Sequence, residues 1–132
     1  MKQVKGFTLL EVMITVAIVA ILAGIAYPSY LSHVQSTKRE EGKRTLVEAA
    51  QHMESYYAMH LNYSGAVSSA SLSIYTPSSD FSEIYTLTAV ANSTGTSYTL
   101  TATPKGSQSG DSCGALTISS TGSTTAATGG CW

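Results

Sequence analysis

Apolar and polar residues are distributed along this chain in three different ways. From Val12 to Ala26 the sequence VMITVAIVAILAGIA holds one conventionally polar residue, Thr15, and the apolar segment reaches 21 residues when counted from Phe7 to Tyr27. At about 1.5 Å per residue, roughly 20 helical residues cross the ~30 Å hydrocarbon layer of a bilayer. Apolar on every side, such a helix has no face suited to water. Beyond Pro28 the pattern turns amphipathic. Leu46, Ala50, Met53 and Tyr57 recur at helical spacing, flanked by Val47 and Ala49, while the charges of KREEGKR lie mostly off that stripe. This predicts a helix over 29–58 whose apolar face covers a sheet, with Gly42 as a point of local weakness. Pro28 removes one helical hydrogen bond and disfavours helical geometry at Tyr27, so a kink or a locally melted turn is expected there.

The third pattern is strict alternation. Ile84–Val90 (IYTLTAV) and Ser97–Thr103 (SYTLTAT) are near copies in which Tyr, Leu and Ala alternate with Thr, the signature of strands with one buried face. Asn92-Ser93-Thr94-Gly95-Thr96 between them is turn chemistry. Ala115–Ser119 reads as a third short strand, with Leu116 and Ile118 on one face, and any fourth strand is weak. An antiparallel meander results, and the fold class is α+β. Read by composition alone, the Thr repeat would instead suit a disordered or O-glycosylated stretch. Residues 59–83 show no sustained period and contain Gly65 and Pro77, so they are expected to form a loop between helix and sheet, anchored by Tyr56, Tyr57, Tyr63, Tyr75 and Phe81.

Charge changes this picture only locally. There are 7 Lys+Arg and 8 Asp+Glu, a net charge of −1, and after position 60 only Asp80, Glu83, Lys105 and Asp111 are charged. That balance argues against a protein whose whole surface grips nucleic acid. Lys38, Arg39, Lys43 and Arg44 interleave with Glu40 and Glu41, the pattern of a solvated helix face with pairs three and four apart; a DNA-facing patch is the competing reading. Glu48 and His52 are one turn apart, but no third ligand clusters with them, and His33, His52 and His60 read as surface residues; no metal site is expected. No nucleophile–base pair or phosphate loop is evident. Neither enzymatic activity nor a cofactor is expected.

Lys2 and Lys5 precede the apolar run, which favours a cytoplasmic N-terminus. A secretory signal peptide needs a small-residue cleavage site after the run, which Ala23-Gly24-Ile25-Ala26 supplies; a simple membrane anchor is the alternative. Neither explains Glu11, a carboxylate inside the run with no Lys or Arg there to pair with.

Lys5-Gly6-Phe7-Thr8-Leu9-Leu10-Glu11, followed by the apolar stretch, resembles the class III signal sequence of the type IV pilin family. The C-terminal stretch from Pro104 to Ile118, with terminal Cys131-Trp132, is similar to smaller minor pilins of the PilE and ComP kind. The resemblance implies a type IV pilin fold: a long N-terminal helix, half of it transmembrane, packed on a small antiparallel sheet with a disulfide-bounded C-terminal region. It implies a leader (1–6), a membrane and filament-core helix (7–28) and a globular head (29–132) made of helix, αβ-loop (59–83) and a meander with a Cys-bounded region (84–132). A prepilin peptidase and N-methyltransferase would cut between Gly6 and Phe7 and methylate the Phe7 amine. Glu11 would then pair with the Phe7 ammonium of a neighbouring subunit, and the helix at Pro28 would unwind in the filament. Cys113 and Cys131, the two cysteines, would lie outside the cytoplasm and form a disulfide.

The implied partners are other pilin subunits, the inner-membrane assembly platform and the membrane itself. The implied locations are a bacterial inner membrane, single pass with a cytoplasmic N-terminus, and then an extracellular pilus. The expected function is a structural, minor subunit of a type IV pilus serving biogenesis, motility, adhesion or DNA uptake. The alternatives are a ComP-like DNA-uptake receptor and a pseudopilin of type II secretion.

Overall fold

The computed structural model describes residues 6–132; Lys2, Lys5 and the leader up to Lys5 lie outside the described residues. The chain divides into two compact units, residues 1–34 and 35–132. Helix α1 runs Leu9–His60 without interruption. Pro28 lies inside it and the backbone stays helical through that point, so the melted turn expected there is not present. In the first unit the helical residues up to His33 are exposed, Leu9 at 80% and Ile25 at 72%. The apolar run is thus helical and uncovered, and it is long and apolar enough to cross a membrane.

In the second unit α1 buries Gly42, Thr45, Leu46, Ala49 and Met53, a stripe repeating every three to four residues. The stripe is rotated from the one that the apolar spacing predicts: Ala50 and Tyr57 are only half-buried, and Val47 is 43% exposed. Gly42 is the reason. A Cβ there would lie 3.0 Å from the Tyr85 ring and 3.4 Å from Leu116. The missing side chain, a weakness in the helix by propensity, is what lets helix and sheet approach.

Residues 59–83 are more ordered than the expected loop. They contain a 3₁₀ turn (Ser64–Ala66), a hairpin of β1 (Val67–Ser68) and β2 (Ser71–Leu72), and helix α2 (Ser79–Ile84). The Ser78 hydroxyl caps α2 by accepting from the Phe81 amide at 3.2 Å, with Asp80 in the first turn. These pieces are too short to show a period in sequence, and Phe81, fully buried, fixes α2 to the core.

The main sheet is built from β3 (Tyr85–Ala91), β4 (Tyr98–Pro104), β5 (Leu116–Ser119) and β6 (Thr124–Thr125). Its strand order is β3-β4-β5-β6, all antiparallel. The two long strands start one residue later than the alternation suggests, and the weak fourth strand exists as a two-residue ladder. Inward residues Tyr85, Ala89, Tyr98, Leu100, Ala102, Leu116 and Ile118 join the helix stripe in one core. Gly95, in the β3–β4 turn at φ +68°, is required twice over: for that backbone angle, and because a side chain would collide with Asn62.

Candidate functional site

The N-terminus of α1 is built by Thr8 and Glu11. The Thr8 amide and hydroxyl donate to Glu11 Oε2 at 3.3 and 3.4 Å, and the Glu11 amide donates to Thr8 Oγ1 at 3.3 Å. This reciprocal exchange is a capping box, which satisfies amides that a helix start otherwise leaves unpaired. The spacing Thr8-x-x-Glu11 is a sequence signal for such a cap, and it gives Thr8 a role beyond the apolar pattern. Gly6 and Phe7 lie just before the helix, both exposed, with Phe7 at 86%. The site is therefore an accessible dipeptide followed by a capped apolar helix whose first turn carries a carboxylate.

In the head the helix face that reads as a basic cluster is largely neutralised. Lys43 pairs with Glu40 and Arg44 with Glu41, each at 2.8 Å and three residues apart. Arg39 departs from the expected solvated face. Its guanidinium grips Asp111 with two nitrogens, Nε at 3.0 Å, and the Asp111 side chain is wholly buried. Asp111 Oδ1 also accepts from the Cys113 amide, and Oδ2 from Gln108 Nε2 at 3.0 Å. Gln108 Nε2 also donates to the Gln35 carbonyl at 3.0 Å and lies 3.2 Å from the Tyr85 hydroxyl. Burial by itself would raise the Asp111 carboxyl, but hydrogen bonds from Arg39 and the Cys113 amide hold it below its ordinary range. Arg39 is raised in turn, chiefly by that bond to Asp111. Sequence carries no sign of this network, because Arg39 and Asp111 are separated by 72 positions.

Two further links close the head. The Glu54 carboxylate accepts from the Tyr63 and Tyr98 hydroxyls at 3.0 to 3.1 Å. Burial first, and the Glu54 carboxylate second, push the Tyr63 phenol up to about 12 and raise Tyr98 in the same way. Cys113 and Cys131 are joined by a disulfide, Cα atoms 5.8 Å apart, and the Trp132 indole donates to the Thr125 carbonyl at 2.8 Å. Among the described residues no group of three or more His, Cys, Asp and Glu is arranged to hold a metal.

The sequence model of a family described as "Type IV minor pilin ComP, DNA uptake sequence receptor" matches residues 28–117, well over half of the chain. The chain belongs to the type IV pilins of this ComP family. A second model, the prokaryotic N-terminal methylation motif, matches residues 1–27 of the pilin. Among its relatives are the type IV major pilin protein PilA of Myxococcus xanthus, 38% identical over 60 residues (46% of this chain, 27% of the relative), and the fimbrial protein EcpC of Eikenella corrodens, 52% identical over 42 residues (31% and 28%). The type IV major alpha-pilin of Moraxella bovis is 45% identical over 56 residues, 38% of this chain and 35% of that one. These alignments thus span roughly a third or less of each relative. A type IV pilin from Shewanella oneidensis shares the fold, with a TM-score of 0.58 at 23% identity, over 74% of this chain and 97% of that chain. The long helix, the antiparallel sheet and the C-terminal disulfide together are the type IV pilin fold.

Proposed function

We propose that this pilin is a minor subunit of a type IV pilus whose head captures DNA for uptake. The observation that carries the reading is the match of the ComP family model to 28–117, because it covers most of the head rather than the shared N-terminal motif. In this reading a prepilin peptidase hydrolyses the Gly6–Phe7 bond from the cytoplasmic side and the freed Phe7 amine is methylated. The chain then waits in the inner membrane until the assembly platform draws it into the filament, where Pro28 gives the helix a place to bend. Exposure of Gly6 and Phe7 and the uncovered apolar helix both support this route. The Glu11 carboxylate would exchange its contact with the Thr8 amide for the Phe7 ammonium of a neighbour. Each charge is costly in an apolar core alone, so the pair sets register rather than adding net stability.

One observation favours a purely structural subunit instead. Residues 35–132 carry five cations against seven carboxylates, and three of the five cations are already paired with carboxylates. Two experiments decide. Intact-mass analysis of sheared filaments should find a chain starting at N-methylated Phe7, with Cys113 and Cys131 oxidised. A start at Met1, or cleavage after the apolar run, would end the pilus-subunit reading. The processed chain, in nonionic detergent, should shift duplex DNA in a gel; no shift at low salt would leave the structural role alone.

A further inference from the structure

Three side chains from one short stretch grip one face of α1. Between β4 and β5 lies a turn closed by its own amides, Asp111 to the Gln108 carbonyl and Gly114 to the Asp111 carbonyl, each at 3.0 Å. From that turn Ser107 Oγ accepts from Lys38 Nζ at 2.7 Å, Gln108 Nε2 donates to the Gln35 carbonyl at 3.0 Å, and Asp111 holds Arg39 Nε at 3.0 Å. Positions 35, 38, 39 and 42 are the i, i+3, i+4, i+7 set of one helix face, so the three grips run directly into the close approach at Gly42. They begin at Gln35, the first residue of the second unit.

The far side of the turn is fastened to the C-terminal tail. The Ala127 amide donates to the Cys113 carbonyl at 2.9 Å, Thr128 Oγ1 reaches the Ser112 carbonyl at 3.4 Å, and the Cys113–Cys131 disulfide makes the link covalent. Beyond β6 the tail belongs to no strand, and residues 127–130 are exposed. A few hydrogen bonds do not repay the entropy of ordering an exposed chain end, so the tail depends on the disulfide. Cys113 is buried, and its amide donates to the same Asp111 carboxylate that holds Arg39. One bonded path therefore runs from the disulfide through the Cys113 amide and the Asp111 carboxylate to the guanidinium on α1.

We infer that residues 107–113 form a redox-locked clasp: the Cys113–Cys131 disulfide keeps it shut on α1, and reduction loosens the helix over 35–42 while the rest of the head stays folded. Reduction by a dithiol breaks the S–S bond, leaves two cysteine thiols and converts the reductant to its cyclic disulfide. Once the tail is free, water reaches the Arg39–Asp111 pair and weakens it, because attraction between charges falls as their surroundings become more polar. The turn of α1 thus released ends at Gly42, the one glycine of residues 35–60 and the poorest helix former among them. A stretch left with few contacts opens by itself, ahead of global unfolding. The head helix is then firm from Gln35 onwards only after the cysteines have been oxidised, whether or not the head binds DNA.

Hydrogen exchange read by mass spectrometry tests the clasp on the full chain in nonionic detergent, with and without dithiothreitol. Loss of the disulfide lowers global stability and speeds exchange throughout the head. The readout is therefore the protection of 35–42 relative to 46–53, the stretch that carries the core residues Leu46, Ala49 and Met53. Reduction should lower that ratio by about tenfold, an ordinary coupling between two sites. In oxidised Asp111→Asn the ratio should already be low, and reduction should add little. Coupling is reciprocal, so Asp111→Asn should also shift the equilibrium with dithiothreitol about tenfold towards the thiols, roughly 30 mV for a two-electron couple. Ser107→Ala, which removes only the exposed Lys38 bond, should move both readouts the same way by less. A ratio that reduction leaves unchanged overturns the clasp. So does a fall of equal size in wild type and Asp111→Asn, or a disulfide equilibrium that Asp111→Asn does not move.

Discussion

Replacing Asp111 by Asn removes one charge from the most buried ion pair of the head while keeping its shape. The Asp111 carboxylate accepts from Arg39 twice, from Gln108 and from the Cys113 amide, and its side chain is wholly buried. Breaking a buried pair from one side costs about 3–5 kcal/mol, because the other charge is left uncompensated. Arg39 retains 17% exposure and can turn partly to water, which lowers the expected loss to roughly 2–4 kcal/mol. At about 4–8 °C per kcal/mol for a domain of this size, Tm should fall by roughly 10–25 °C. The assay is thermal unfolding of the oxidised chain followed by near-ultraviolet circular dichroism. The double variant Arg39→Met, Asp111→Leu should recover much of the loss, since an apolar pair of similar volume replaces the charges. The pH dependence has a definite sign. A carboxyl lowered from 3.8 on folding contributes stability that is fully present above pH ~4 and is lost as pH falls through the folded value, and Asp111→Asn should abolish that acid limb. A Tm loss below ~4 °C, or an unchanged acid limb, would refute the account of Asp111 as the anchor between helix and C-terminal region.

Gly42→Val should destabilise by about 1–3 kcal/mol despite improved helix propensity, because the new side chain enters space held by Tyr85 and Leu116; urea unfolding measures it. Spectrophotometric titration should show Tyr63 ionising near pH 12, and stability should decline between pH ~10 and that value, as the unfolded chain ionises first. Glu54→Gln should lower that titration only in part, because burial, the larger cause, remains. Reduction of Cys113–Cys131, which are 18 positions apart, should cost about 3 kcal/mol of unfolding free energy in the chain-entropy picture. Glu11→Gln keeps the capping box and removes the charge, whereas Glu11→Val removes both. Both should insert into membranes, and equal loss from sheared pili would assign the effect to charge; unchanged pilus content would sink the pairing role.

The local and repetitive features of the chain are legible in its sequence. Between Phe7 and Tyr27 only Thr8, Glu11 and Thr15 break an apolar run that is long enough to cross a bilayer as a helix. The Thr alternation of 84–90 and 97–103 names both long strands and their inward residues to within one position. The motif from Gly6 to Glu11 points to the pilin family. What stays hidden needs a partner far along the chain. Apolar spacing puts the stripe on α1 a fraction of a turn away from its true centre, because Gly42 contributes no hydrophobicity and yet lies at the closest approach to Tyr85. Helix α2 carries no period in six residues and exists because Ser78 caps it and Phe81 is buried.

The sequence by itself determined the architecture: one long helix, apolar then amphipathic, followed by an antiparallel meander closed near its end by cysteines. Period and composition are properties of neighbouring residues, and they are fixed before the chain folds. Only the tertiary structure decided what each charge does. Arg39 looks no different from Arg44 along the helix, yet one turns inward to a buried carboxylate and the other pairs with Glu41 in solvent. The same is true of the threonines, whose alternation marks a strand but whose cross-strand partners depend on register between strands. Electrostatic neutralisation and surface pattern are relations across space, so a linear string of residues does not contain them until the fold brings the partners together.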